Sequence, residues 1–275
     1  MNDTVAEVLD GRSRWAVVHG DALDVMRGLP DGCVDAVVTD PPYSSGGAFR
    51  SDRNASPDAK YRGWSQNEDG SSRKPTSSYA SFSGDNRDQR SYLMWSALWL
   101  SECARACRAG AHAFVFADWR QLPTTTDIIQ AGGFVWRGLI VWDKKIGRPM
   151  RGRFRNHLEY VAWGSNGPLA DDQDVYPSTL ISVAPPSASE REHLTQKPVD
   201  LFREMLSVLP PDSLIVDPFS GSGSAGVAAV ALGHRYIGIE KATDNVDIAR
   251  RRIADAAAQG NLFHDETAAR GGGGE

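Results

Sequence analysis

Short apolar runs rich in β-branched residues alternate along this chain with stretches whose apolar positions recur at helical spacing. The apolar runs predict seven strands, near residues 15–18, 34–39, 113–117, 134–142, 158–163, 213–217 and 235–240. Between them, Leu23, Met26 and Leu29 predict a short helix stopped by Pro30 and the turn Asp31-Gly32. Leu93, Ala97, Leu100, Ala104 and Cys107 fall on one helical face, with Gly110 as its C-cap. Further helices are predicted over Leu122 to Ala131, Pro198 to Leu209 and Asp244 to Ala258. A strand that is apolar throughout is covered on both faces, as in a parallel sheet. Residues 1–14 are polar and read as loosely held.

The pattern dissolves from Ser44 to Arg90. Eleven Ser, five Gly, eight Lys or Arg and six Asp or Glu leave no room there for a periodic apolar face. Phe49, Tyr61, Trp64, Tyr79 and Phe82 are scattered through it. A long unpatterned loop inside a compact domain reads as a functional lid or a disordered segment. Gly164 to Glu192 is irregular as well, with an acidic patch (Asp171, Asp172, Asp174) and the pair Pro185-Pro186.

At 275 residues and 41% hydrophobic, the chain can fill the core of one α/β domain with insertions. Its net charge of −5 is not that of a generally basic nucleic-acid binder, so any basic surface is local. One such surface exists: Arg137 to Arg155 carries seven basic residues and one acidic one. Gly, Pro and aromatic residues interrupt it, so it is not the outer stripe of a helix. Lys144, Lys145, Arg148, Arg151, Arg153 and Arg155 are therefore candidate phosphate contacts. Cys33, Cys103 and Cys107 form neither a disulfide framework nor a zinc spacing, and no metal site is expected. No apolar run approaches 18 residues and no signal peptide opens the chain. A soluble, cytoplasmic protein with no membrane partner is the expectation.

The run Val34 to Thr39 leads into Asp40-Pro41-Pro42-Tyr43. Two prolines end the strand at once, because neither can donate to a ladder. They leave a carboxylate, stiff carbonyls and an aromatic face at the carboxyl end of a central strand, the edge where open α/β sheets bind ligands. Asp40 can accept one N–H of an exocyclic amine and a proline carbonyl the other, while Tyr43 stacks on the ring. Held out of plane, the amine lone pair localises and can be aimed at an electrophile. Orientation of that kind supplies about 7–11 kcal/mol of a barrier.

These four residues resemble the catalytic motif of the S-adenosylmethionine-dependent DNA amino-methyltransferases, Asp-Pro-Pro-Tyr. The resemblance extends over residues 15–43 and 91–259. His193-Leu194-Thr195-Gln196-Lys197-Pro198 is similar to the family's His-Pro-Thr-Gln-Lys-Pro, with Leu194 in place of a proline. Asp217-Pro218-Phe219-Ser220-Gly221-Ser222-Gly223 is similar to its cofactor loop, although Ser224 and Ala225 stand where threonines are usual. The catalytic strand precedes that loop, the order of the family's β group.

The resemblance implies that Asp40, Pro41, Pro42 and Tyr43 are catalytic. It implies that Asp21, Ala22, Thr195, Gln196, Lys197, Asp217, Phe219, Gly221, Gly223 and Glu240 bind S-adenosyl-L-methionine. An aspartate at position 21 would equally serve as an N-cap. Glu240, at a strand end, is also placed to bind both hydroxyls of a ribose. His157 borders the target-base pocket if the resemblance holds, and otherwise is a structural histidine. Gly221-x-Gly223-x-x-Gly226 is equally a dinucleotide fingerprint, so an oxidoreductase binding NAD is the rival of another class. Asp217 argues against it, because a carboxylate repels a pyrophosphate and welcomes the amino group of a methionine moiety.

The fold expected is a seven-stranded, mostly parallel, Rossmann-like α/β methyltransferase sheet with helices on both faces. The chain 1–275 would be a single catalytic domain with a mobile lid at 44–90 and a small target-recognition segment at about 144–192. The activity implied is methyl transfer to N6 of a flipped-out adenine in DNA, with N4 of cytosine as the alternative. The resemblance leaves open a homodimer and a cognate restriction enzyme as further partners. Loops this rich in Ser, Gly and Pro predict a short or relaxed recognition sequence.

Overall fold

The computed structural model describes residues 3–43, 65–66, 72–73, 87–147, 149, 151–169, 174–187 and 196–270, the last eleven of these by their backbone alone. Eight strands form the main sheet in the order β1-β10-β9-β2-β5-β7-β6-β8. They are β1 (Trp15–His19), β2 (Val34–Thr39), β5 (Cys107–Ala117), β6 (Val135–Asp143), β7 (Leu158–Ser165), β8 (Leu180–Ser182), β9 (Leu214–Asp217) and β10 (Arg235–Glu240). A separate antiparallel pair, β3 (Ser65–Gln66) and β4 (Ser72–Arg73), lies within the long insertion. Most of that insertion, including the expected lid, lies outside the described residues.

Strand pairs are parallel from β1 through β5; β7 runs antiparallel between β5 and β6, and β8 is parallel to β6. The sheet therefore has eight strands rather than the seven expected. The eighth, β8, arises in the segment read as irregular. Three residues beside Pro177 and Pro185 are too short to show a period, and only pairing with Val141, Trp142 and Asp143 defines them.

Helices cover both faces. On one lie α1 (Asp3–Leu9), α2 (Ala22–Arg27), α3 (Gln89–Ala106) and α4 (Leu122–Ala131), packed on Val18, Val34, Val37, Val115 and Ile237. On the other lie α5 (Val199–Leu206), α6 (Ser224–Ala231) and α7 (Thr243–Arg270), packed on Val17, Ala36, Val38, Phe116 and Ile215. The apolar strands thus bury both sides, which is why β2 and β9 carry almost no alternation.

Four expectations need correction. Residues 3–9 are helical, because Val5 and Val8 sit three apart and dock against β1 and β10. The buried face of α3 is Tyr92, Ser96, Trp99, Leu100, Cys103 and Ala106, about one residue from the face expected. Cys107 is in β5, and Gly110 is not a helix cap: its φ of 79° turns the strand through a bulge, where its N–H reaches Asn166 O at 2.7 Å. Pro198 precedes α5 as its N-cap, and the helix closes at Leu206. Cys103 and Cys107 are buried free thiols whose pKa values burial pushes well up.

Candidate active site

Seven strand ends, those of β1, β2, β5, β6, β8, β9 and β10, share one edge of the sheet, and the antiparallel β7 begins there. The chain reverses its winding between β9 and β2, which are neighbours. Thr39 at the end of β2 donates its hydroxyl to Asp217 Oδ1 at the end of β9, 2.9 Å away. Two acidic residues, Asp40 and Asp217, are thereby fixed side by side at the switch point, where open α/β sheets bind ligands.

Asp40 leaves β2 and meets two groups. Tyr43 donates its hydroxyl to Oδ1. Lys197 donates from Nζ to Oδ2 at 2.6 Å and to the Tyr43 hydroxyl at 3.1 Å. Burial pushes the Asp40 carboxyl up, and the Lys197 ammonium offsets that only in part. Lys197 is 9% exposed at its side chain, and its ammonium rests over the rings of Tyr43 and Phe116 at 5.5 and 5.4 Å. Burial alone would lower the Lys197 pKa; the carboxylates of Asp40 and Glu159 outweigh it and hold it above its usual value.

Glu159, near the start of β7, completes the cluster. Lys144 donates to Oε1 at 3.1 Å, while Oε2 stands 3.5 Å from Lys197 Nζ and accepts no hydrogen bond. Desolvation would raise the Glu159 pKa, but the two lysines prevail and depress it. Four charges therefore alternate in sign, Asp40, Lys197, Glu159 and Lys144. Glu159 falls inside the strand predicted near 158–163 but was not among the expected site residues. The available signal was a carboxylate inside an otherwise apolar run, Leu158 to Trp163.

Beside this cluster lies the glycine loop between β9 and α6. Gly223, with φ of 79°, is the α6 N-cap, a backbone conformation that favours glycine. A Cβ on Gly226 would stand 2.5 Å from Ile253 and 2.6 Å from the Tyr236 ring, so α6 can lie on its neighbours only with glycine there. Phe219 packs edgewise on Trp99 at 5.0 Å and against Trp95 at 5.3 Å. Asp217 is 4% exposed and accepts from Phe219 N and Thr39. Burial pushes its carboxyl up to about 7. Glu240 accepts from Gly221 N at 2.9 Å and Ala242 N at 2.7 Å, which orients its carboxylate at the loop.

Asp21 acts as the N-cap of α2, accepting from Leu23 N, and its other oxygen meets Lys241 at 3.1 Å. Ala22 is buried beside it. Gln196 precedes Lys197 at the same edge, whereas Thr195 lies outside the described residues.

The expected phosphate contacts separate into two groups. Lys144 is turned onto Glu159. Lys145, Arg151, Arg153 and Arg155 are exposed in the turn between β6 and β7, around a fully exposed Phe154. Arg148 lies outside the described residues. His157 Nδ1 is 2.8 Å from Arg155 O, and Nε2 faces Asp143 at 3.8 Å, so it braces the base of the turn. Among the described residues no group of His, Cys, Asp and Glu could hold a metal, and no helix is long and apolar enough to cross a membrane.

Comparison with known proteins places the chain in a family and a fold. A family model described as DNA methylase, for N6 and N4 methyltransferases, matches residues 34–251. The Type II methyltransferase M.HinfI of Haemophilus influenzae is 24% identical over 270 residues, spanning 87% of this chain and 68% of that protein. The M1.HpyAVI–SAM complex superposes with a TM-score of 0.59 at 21% identity, over 87% of this chain and 98% of that one. PvuII DNA methyltransferase (cytosine-N4-specific) gives 0.63 at 15% identity, over 90% and 93%. The chain belongs to the DNA methylase family of N6-adenine and N4-cytosine amino-methyltransferases.

Proposed function

We propose that this protein transfers a methyl group from S-adenosyl-L-methionine to N6 of an adenine flipped out of duplex DNA. The observation that carries this reading is the junction of Asp40 with Asp217 through Thr39, which sets an amine-accepting carboxylate next to a glycine loop. The residues present suit the donor. A Cβ on Gly221 would meet nothing within 4 Å, so the loop tip is open. Asp217 and Glu240 offer carboxylates for an amino group and a ribose, and Asp21, Ala22, Phe219 and Gln196 border the same edge.

S-adenosyl-L-methionine supplies an electrophilic methyl carbon on a positively charged sulfur. The chain supplies the rest. Asp40 Oδ and the Pro41 carbonyl accept the two amine hydrogens, localising the nitrogen lone pair. Pro42 stiffens that carbonyl and Tyr43 presents its ring to the base. As the nitrogen is methylated it becomes cationic, and its surplus proton passes to Asp40 or through it to solvent. A base inside a duplex is out of reach, so flipping at a cost of a few kcal/mol precedes the chemistry. Stacking on Tyr43 recovers about 1–3 kcal/mol.

Aspartate rather than serine at position 40 supports adenine over cytosine, since in the resembled family serine is favoured there by the cytosine enzymes. The exposed Arg151, Arg153 and Arg155 support a DNA substrate through phosphate contacts. Nucleoside mass spectrometry of unmethylated genomic DNA, after incubation with the protein and isotope-labelled donor, tests the reading. Labelled N6-methyladenine is expected. N4-methylcytosine alone would overturn the choice of base, and no labelled nucleoside would overturn the activity.

A further inference from the structure

We propose that Lys197 is a movable clamp on Asp40, and that Glu159 is the seat that receives it when the target amine arrives. This rests on the methyltransferase reading above and concerns how its site is opened for chemistry.

In the structure both carboxylate oxygens of Asp40 are already engaged, Oδ1 by Tyr43 and Oδ2 by Lys197. The ammonium is held tightly, 2.6 Å from its acceptor and almost out of solvent. That arrangement opposes amine methylation in two ways. It occupies the oxygen an incoming N–H must use, and it puts a positive charge where the methylated nitrogen becomes positive. Like charges close together in a partly dry site are costly. Lys197 must yield for Asp40 to serve the transition state.

Glu159 is built to take it. One oxygen is fixed by Lys144, so the carboxylate does not rotate freely. The other is buried, accepts nothing and faces Lys197 Nζ at 3.5 Å. A buried acceptor without a donor is a standing cost that a hydrogen bond would relieve. A shift of under about 1 Å brings the ammonium from that separation to hydrogen-bonding distance of Glu159. The ion pair is exchanged rather than broken, so the buried lysine keeps a counter-charge throughout. Lys197 touches Asp40 and not the reacting atoms, which makes both Lys197 and Glu159 positioning residues.

The test is a double-mutant cycle read by single-turnover methylation of unmethylated genomic DNA, with cofactor and DNA affinity and thermal melting measured alongside. In Glu159→Gln the clamp has no charged seat, and the transfer rate should fall at least about 10-fold while both affinities stay within about two-fold of the wild type. Adding Lys197→Met removes the clamp itself and should restore the rate at least about five-fold over Glu159→Gln alone. A structural role for Glu159 would give the opposite, a double variant no faster than the single one. That result, or wild-type rates in Glu159→Gln, would overturn the proposal. Should Glu159→Gln not fold, Glu159→Asp withdraws the oxygen while keeping the charge, and the same rescue is expected. Absence of methylation by the wild type would instead refute the methyltransferase reading.

Discussion

The hydroxyl of Thr39 is bonded to the carboxylate of Asp217 across 2.9 Å, so the last residue of one strand is tied to the last residue of its neighbour. Both residues are buried, and the bond lies between Asp40 and the glycine loop. Alignment of nucleophile and electrophile in the proposed reaction therefore depends on a contact that touches neither. Thr39→Val keeps the shape and removes the donor. It should cost about 1–2 kcal/mol of stability and lower the melting temperature by a few degrees, with Thr39→Ser restoring most of it. Thermal melting of the three proteins checks this, and an unchanged Thr39→Val would show the bond to be idle.

Asp217 itself makes stability depend on pH. Burial raises its carboxyl from an ordinary 3.8 to about 7. Between these values the folded chain binds more protons at this position than the unfolded chain, so stability falls as pH rises. The full cost is present above about pH 7 and absent below about pH 4, on the order of 4 kcal/mol. Asp217→Asn abolishes the titration while its amide oxygen can still accept from Thr39 and Phe219. The variant should be the more stable at pH 8, with an advantage that shrinks steadily towards pH 4. Denaturant unfolding across that range reads the difference; a gap independent of pH would contradict the assignment.

Asp40→Ala should lower the single-turnover rate about 10²–10³-fold, the scale of losing one preorganised group at a reacting centre. Calorimetric affinity for S-adenosyl-L-methionine should survive, because Asp40 faces the amine and acts at the transition state. Near-normal turnover in this variant would remove the Asp-Pro-Pro-Tyr turn from the mechanism.

The basic turn should contribute affinity without sequence information. Replacing Arg151, Arg153 and Arg155 together by Ala should weaken DNA binding and flatten the dependence of log K on log salt by roughly 2–3. Lys144→Ala should leave that slope nearly unchanged, since its ammonium is already neutralised by Glu159. Binding isotherms at several salt concentrations distinguish the two, and equal slopes for all variants would deny the turn a phosphate role.

The strands that build the site were legible because each is a short apolar run with an abrupt chemical end, Thr39-Asp40-Pro41 for β2 and Asp217-Pro218 for β9. The buried face of α3 was not. Its apolar residues, Tyr92, Leu93, Trp95, Trp99, Leu100 and Cys103, surround much of the helix, and packing on β2 and Phe219 decides which are covered. Helix α1 carried a weak signal, Val5 and Val8, that only the sheet edge makes sense of. The charged cluster was the least legible part. Lys197 and Glu159 lie far apart in the chain, and a motif assigns residues to roles without stating which neighbour a side chain chooses. The same limit sent Lys144 to the phosphate group in sequence and to Glu159 in space.

Strand β8 has a consequence for the chain as a polymer. Its three rungs to β6 are reinforced by Trp142, which donates to Val183 O at 2.7 Å, and by Ser182, which meets Asp143 at 3.3 Å. They divide the connection from β7 to α5 into two tethers, 166–179 and 183–198. Closure entropy grows only as the logarithm of loop length, so lengthening either tether two-fold costs about 0.6 kcal/mol. Because the ends of each are pinned separately, added length in the first leaves the contour of the second unchanged. Lys197 rides near the end of that second tether, anchored at its other end to the strand that precedes Lys144. The chain before β8 can thus be lengthened or replaced while the lysine keeps its reach to Asp40.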